Sequence, residues 1–404
     1  MKILIIAYHY SFSDSTGSLR PRAIAKYLPI NGVEVAVLTY SAQCAAVSFV
    51  DNIIGVKDIT RETVSLPVYY AWRIWQKARL ALGLDRGVYE YWRNAALNQA
   101  VEIIARVKPD AILASYPCVE ALEIGVALSE KFGLPLISDF RDGLLFESLE
   151  VDRLAHPTTR RYYETIEAKV IEKSRLVITV SEPISAYFRQ QYAHANVMTL
   201  HNGFDLDDII PDININLPDG IINIVHTGRL SASEKGRGVD ALCDALRILL
   251  ANSPELSTKF QLHFVGLLSQ AEQICFAPLV AQNVVKIWGH QPRAKALAFQ
   301  HKANVLLLIT APDKASVATG KIFEYLAAAK PILGLTRGTE AARIIAETGA
   351  GIVVSPDKPD QIAEAIKIFI NQEHGKLNTR NEDLISSFSR QKQMELIAIK
   401  LKEL

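Results

Sequence analysis

The strongest constraint on the fold is a rhythm that runs through the chain twice: short apolar runs rich in Ile, Val and Leu, each followed by a loop and a helix-length segment. Runs with no polar alternation read as strands buried on both faces, the environment of a parallel sheet flanked by helices. In the first series they are Lys2 to Ala7, Val33 to Tyr40, Ala111 to Tyr116, Pro135 to Phe140, Leu176 to Ser181 and Val197 to His201. Thr63 to Val68 is a further short candidate, and 41–62 gives no clear pattern. The second series is Ile221 to Val225, Phe260 to Gly266, Val284 to Gly289, Ala303 to Thr310, Ile332 to Leu335 and Gly351 to Ser355. Between them, acids and prolines without a sustained period mark a linker. The expectation is an α/β protein of two Rossmann-like doubly wound parallel-sheet domains, 1–203 and 221–381, joined by 204–220. A helical segment, 382–404, could return to the first domain. Two lobes of this kind are expected to face a central cleft that holds the site.

Composition narrows the function. Lys and Arg number 44 against 43 Asp and Glu, so no global field recruits nucleic acid and any anion site must be local. Cys44, Cys118, Cys243 and Cys275 are scattered without metal-ligand spacing, which predicts reduced thiols and no structural zinc. Asp205, Asp207, Asp208 and Asp212 match neither a calcium loop nor a two-metal centre and read as a solvated hinge. The apolar N-terminus breaks at Tyr8-His9-Tyr10, and no run reaches the roughly 18 to 20 residues of a membrane span, so a cytoplasmic protein is expected. The segment Tyr69 to Leu82 places Trp72, Trp75, Arg79 and Leu82 at helical spacing, with Arg73 and Lys77 close by. Such a helix either packs its aromatics on the sheet and solvates its cations, or seats itself on an anionic membrane surface as a peripheral contact.

Three places carry chemistry. The run ending at Thr310 leads through a polar loop into Ser316 to Pro331, where Thr319, Gly320 and Lys321 open a helix. Unpaired backbone N–H groups and a lysine at a helix mouth suit phosphate, and Glu324 one turn in could accept hydrogen bonds from sugar hydroxyls. The plainer reading is a capped helix with a surface lysine and glutamate. After the run ending at Val225, Arg229 offers a planar fork of donors and Lys235 a compact charge, unless both belong to a solvated loop. In the first lobe the loop before Arg20 holds a single glycine, Gly17, so the G-x-G-x-x-G cradle of a dinucleotide is absent. Asp139-Phe-Arg-Asp142 closes a strand there, and its carboxylates could orient a hydroxyl or take its proton. Alternatively Arg141 and Asp142 form a salt-bridged strand cap.

The order Gly228-Arg-Leu, Lys235-Gly, Trp288-Gly, Ala303-Asn-Val-Leu-Leu-Leu, Phe323-Glu-Tyr-Leu-Ala-Ala-Ala-Lys-Pro-Ile-Leu and Gly349-Ala-Gly resembles the C-terminal lobe of retaining GT-B glycosyltransferases of family 4. Val180-Ser-Glu182 and Leu200-His-Asn-Gly-Phe-Asp205 resemble their first lobe. The resemblance implies transfer of a sugar from a UDP- or GDP-linked donor to an acceptor hydroxyl, with retention and with neither cofactor nor metal. Attack on the same face, assisted by the leaving phosphate, takes the place of a protein nucleophile. By the resemblance, Arg229 and Lys235 bind the donor diphosphate and stabilise its leaving charge, while Glu324 holds the ribose. Thr319, Gly320 and Lys321 serve phosphate or sugar, Gly17 approaches the diphosphate from the first lobe, and Asp142 orients the acceptor beside Asp139 and Arg141. The implied acceptor is lipid-linked or a polysaccharide, in bacterial surface-polysaccharide synthesis. Two departures stand out: Ser316 occupies the first position of the family's Glu-x7-Glu motif, and Arg141-Asp142 replaces a frequent His-Asp. A GT-B-like protein that binds nucleotide sugars without turnover, or a nucleotide-sugar epimerase or dehydrogenase, are the alternatives.

Overall fold

The computed structural model describes all residues except 11–15, 42–51, 61–65, 85–86, 206–212, 231–238, 312–313 and 373–378. The chain divides into two units, Met1–Asn202 with Arg390–Leu404, and Gly203–Ser389.

The first unit is built on seven parallel strands, β1 (Lys2–Ile6), β2 (Glu34–Tyr40), β3 (Ile53–Val56), β4 (Ala111–Tyr116), β5 (Leu136–Phe140), β6 (Ser174–Thr179) and β7 (Val197–Thr199), ordered β3-β2-β1-β4-β5-β6-β7. Its helices are α1 (Thr16–Tyr27), α2 (Leu66–Ala81), α3 (Glu90–Asn98), α4 (Ala100–Val107), α5 (Val119–Phe132), α6 (Val151–Leu154), α7 (Pro157–Lys173) and α8 (Glu182–Gln191). The unbroken apolar text of β1 has a simple cause, since both its faces are covered. Ile3 and Ile5 join Ile24 and Leu28 in one core, while Leu4 and Ile6 join Trp92, Ile103 and Leu122 in another.

The second unit repeats the plan with β8 (Ile222–Thr227), β9 (Phe260–Val265), β10 (Val285–Ile287), β11 (Val305–Ile309), β12 (Ile332–Leu335) and β13 (Gly351–Val354), ordered β10-β9-β8-β11-β12-β13 and parallel throughout. The helices are α9 (Asp240–Asn252), α10 (Gln270–Ala281), α11 (Arg293–Lys302), α12 (Gly320–Ala327), α13 (Glu340–Thr348), α14 (Pro359–Ile370) and α15 (Glu382–Ser387). Helix α10 begins where its sequence says it should. Ser269 accepts from Glu272 N and the Glu272 carboxylate accepts from Ser269 N, a reciprocal cap. The last helix, α16 (Arg390–Lys402), belongs to the first unit. Its Met394, Ile397 and Leu401 enter the core of Ile3 and Ile5, and burying side chains of this size contributes about 1.5–3 kcal/mol each.

In each sheet the strand order reverses between two neighbours, β1 and β4 in the first and β8 and β11 in the second. Ligands of doubly wound sheets dock outside the carboxyl ends of the strands at this switch point.

Several expectations change. The expected strand Thr63 to Val68 lies partly outside the described residues, and Leu66 to Val68 open α2 instead. The edge strand after β2 is Ile53–Val56, whose four residues contain a glycine and leave too short a pattern to read. Most of the predicted acidic hinge, 206–212, lies outside the described residues. The expectation of unpaired thiols is corrected at Cys243 and Cys275, which form a disulfide between α9 and α10 with Cα atoms 6.6 Å apart. A separation of 32 residues carries no sign of that pairing, because helix-on-helix packing creates it. Cys118 remains a free, buried thiol. Finally, the aromatic stripe of α2 divides: Trp72 is partly buried, while Trp75 is 54% exposed, as is its neighbour Tyr70 at 59%.

Candidate functional site

At the switch point of the second unit, β8 gives way to a turn that only small residues permit. Gly228 has φ +82° and donates its N–H to Val265 O at 2.8 Å. Opposite, a Cβ on Gly266 would lie 2.2 Å from Gly228 O, so the ends of β8 and β9 approach closely because neither residue has a side chain. A Cβ on Gly228 would in turn lie 2.9 Å from Lys321 Cε. The glycines thus make room for a lysine. Arg229 follows with its side chain exposed, and its guanidinium enters no hydrogen bond or ion pair among the described residues.

The helix mouth stands beside this turn. Thr319 is the extended N-cap of α12 and makes no side-chain cap bond; Ile322 N donates to Thr319 O at 3.1 Å, and the N–H groups of Gly320 and Lys321 keep their donor capacity among the described residues. Nothing lies within 4 Å of where a Cβ on Gly320 would be, which leaves open space before the helix. Lys321 Nζ donates to Arg229 O at 2.5 Å, tying the helix to the turn. Burial lowers the Lys321 pKa to about 8, against the opposing pull of the Glu324 carboxylate. His226 is fully buried, with Nδ1 2.9 Å from Leu307 O and Nε2 3.3 Å from Arg229 O. Burial first, and Lys321 second, lower its pKa to about 3, so it is neutral and has a single N–H. The shorter contact takes that proton, leaving Lys321 as the donor that holds Arg229 O.

The depressed pKa of Lys321 has a defined consequence for stability. Between about pH 8 and the ordinary 10.5 the unfolded chain holds the proton and the folded protein does not, so this group makes stability rise with pH across that window. The stability difference between wild type and Lys321→Met is therefore expected to shift in favour of wild type from pH 8 to 10, read from denaturant midpoints. A difference independent of pH would refute the assignment.

One turn into α12, the Glu324 carboxylate is held from two sides. Arg293, the first residue of α11, donates to Oε1, and Gln300 Nε2 donates to Oε2 at 3.1 Å. The same Gln300 nitrogen lies 2.9 Å from Thr227 Oγ1, and Thr227 N donates to Tyr325 OH at 3.0 Å. Glu324 is thereby oriented by a network that begins at the end of β8, with its side chain still 16% exposed. Thr310 follows β11, Thr336 follows the neighbouring β12 and Thr319 caps α12, and the Oγ1 atom of each is buried without a hydrogen bond among the described residues. Ser316 sits on a segment whose backbone is pinned to the start of α13, with Glu340 N donating to Ala315 O at 2.8 Å and Ala341 N to Val317 O at 3.0 Å. Lys235 lies outside the described residues.

In the first unit the candidates separate. Asp139, expected on the acceptor side, is fully buried, and Arg20 grips it with Nε 2.9 and 3.1 Å from its two oxygens and Nη2 2.8 Å from Oδ1. Ser115 Oγ adds a third donor at 2.8 Å. Arg20 Nη1 also reaches the carbonyls of Leu200 and His201, so the pair is a clamp between α1, β5 and the strand-end segment after β7 rather than a reactive carboxylate. Arg141 is likewise buried and donates to the carbonyls of Tyr116, Pro117 and Gly17. Gly17 therefore contributes its carbonyl to anchoring the start of α1. Asp142 alone of the triplet is partly exposed.

Sequence reasoning missed Arg293, Gln300, His226 and Thr227. For the last two a signal existed, since they are the polar residues that close an apolar run. For Arg293 and Gln300 none did, because only packing aims them at Glu324. Among the described residues no group of three or more His, Cys, Asp or Glu is placed to hold a metal ion.

Comparison with known proteins adds the following. Residues 18–203 match the family model of the glycosyl transferase 4-like domain, and residues 222–372 that of glycosyl transferases group 1. No curated protein matches the chain. Among solved structures, a sucrose-phosphate synthase from Thermosynechococcus elongatus has a TM-score of 0.66 at 15% identity, covering 100% of this chain and 98% of that one. Anabaena HepE in complex with UDP-glucose gives 0.60 at 18%, and a UDP-GlcNAc 2-epimerase from Methanocaldococcus jannaschii 0.60 at 12%, each covering 100% of both chains. At these identities the structures speak for the fold alone, and that fold hosts both transferases and an epimerase. The two family models are what separate the activities.

Proposed function

The chain belongs to the group 1 glycosyl transferases of GT-B fold, and from that premise we propose that it moves a hexose from a UDP- or GDP-sugar to a hydroxyl of a lipid-linked or polysaccharide acceptor, with retention at the anomeric carbon. The observation that carries the reading is the junction of Arg229, Lys321 and the open mouth of α12 at the switch point of the second unit. As the bond from the anomeric carbon to the phosphate oxygen breaks, negative charge grows on the departing diphosphate, and cations and helix N–H groups already in place stabilise it without reorganising. Arg229 supplies the bidentate fork, Lys321 the point charge, and Lys235 a further cation. Glu324, held by Arg293 and Gln300, accepts from the two ribose hydroxyls. Charge neutralisation by side chains leaves no step that requires a metal or cofactor. Asp142 orients the acceptor hydroxyl.

The test is incubation with labelled UDP- and GDP-hexoses and an extract of lipid-linked and polysaccharide acceptors, with and without chelator. The reading expects labelled product of retained anomeric configuration, released nucleoside diphosphate and a raised donor KM in Glu324→Ala. Conversion of the donor to its epimer without transfer, or an inverted product, would contradict it.

A further inference from the structure

We propose that α2 docks the first unit onto an anionic lipid surface. The proposal deepens the transfer reading by fixing the class of acceptor as one embedded in lipid, and rests on that reading only for this consequence. Val68, Tyr70, Ile74 and Trp75 of α2 are 54%, 59%, 69% and 54% exposed, and Leu82 and Leu84 just beyond its end are 64% and 54% exposed. An apolar stretch of this extent on a protein surface marks an interaction site rather than ordinary surface. The charges on it have one sign. Helix α2 contains no acidic residue, and Arg73 and Lys77 are exposed and form no ion pair among the described residues.

The helix is held so that it can present this face. Arg79 bonds the Glu90 carboxylate at 2.7 Å and Leu84 O at 3.1 Å, and Thr158 Oγ1 donates to Gly83 O at 2.7 Å, anchoring the C-terminal end. Trp72 is partly buried, whereas Trp75 projects outward. Aromatic rings, aliphatic side chains and unpaired cations on one short helix are the composition of an interfacial helix, whose apolar side enters the headgroup boundary while the cations meet lipid phosphates. A second copy of the chain is a poorer occupant, because two such helices would bring Arg73 and Lys77 of one against the same cations of the other. Among the described residues no helix is long and apolar enough to cross a membrane, so the contact is on the surface.

Sedimentation of the full chain with vesicles tests the proposal. Wild type is expected to sediment with phosphatidylglycerol–phosphatidylcholine vesicles more than with phosphatidylcholine alone, and raised salt should weaken it. Ile74→Ser with Trp75→Ser should abolish sedimentation on both compositions. Arg73→Gln with Lys77→Gln should lower the anionic partition by about 25-fold, roughly a factor of five per cation. All four positions are surface sites, so unchanged melting temperatures would show that the variants fold. Absence of wild-type sedimentation, equal sedimentation of the variants, or a dimer that the serine variant dissolves without any vesicle binding would each overturn the proposal. Transfer is scored separately: turnover without sedimentation removes the docking and leaves the transferase reading, and sedimentation without turnover does the reverse.

Discussion

Arg229→Ala is expected to lower kcat for sugar transfer by roughly 10²- to 10³-fold, the usual cost of removing one prepositioned donor to a developing oxyanion. The loss should fall on kcat more than on donor KM, since the charge that Arg229 meets is greatest after the glycosidic bond has begun to break. Folding should be unaffected. The side chain is exposed, and only its backbone carbonyl takes part in the contacts with Lys321 and His226. Arg229→Lys should recover part of the activity, because the charge returns without the planar fork. Steady-state kinetics on the matched donor, beside unfolding midpoints for all three proteins, decides the matter; wild-type kcat in a folded Arg229→Ala enzyme would exclude Arg229 from the leaving-group site.

The second large effect concerns stability. Asp139→Ala is expected to destabilise the first unit by roughly 3–5 kcal/mol, because it strands the buried Arg20 guanidinium without its counter-charge. Arg20 is 3% exposed and Asp139 not at all, so water cannot replace the lost partner. Asp142→Ala, at a partly exposed site, should leave the unfolding midpoint close to wild type while reducing transfer. Chemical denaturation read by first-unit tryptophan fluorescence, with Trp288→Phe as background, separates the two residues. If Asp139→Ala unfolds like wild type and merely loses activity, Asp139 is an acceptor contact after all.

These two residues show where sequence reading stops. Asp139 and Asp142 are three positions apart, and as text they are equivalent carboxylates on either side of Arg141. In the fold one points into the sheet's helix-covered core and meets an arginine 119 residues away, while the other reaches the surface. In the same way Trp72 and Trp75 carry identical helical signals but differ in exposure. Arg229 and Lys321 are 92 residues apart, and nothing in either motif says that the lysine bonds the carbonyl of the arginine. Glu324 was legible as a residue one turn into a helix, whereas Arg293 and Gln300, which orient it, were not.

The sequence alone determined the architecture, because the hydrophobic effect acts on composition along short runs and a strand buried on both faces must be apolar at every position. It also determined which loops stand at carboxyl ends of strands, since strand, loop and helix follow one another in the text. Tertiary structure alone decided which polar groups are free to act and which are consumed in holding the fold. That division depends on burial and on partners as far as 124 residues away: it seals Asp139 and Arg141 into contacts, pairs Cys243 with Cys275, and leaves the Glu324 carboxylate partly exposed on α12, the helix that carries Lys321.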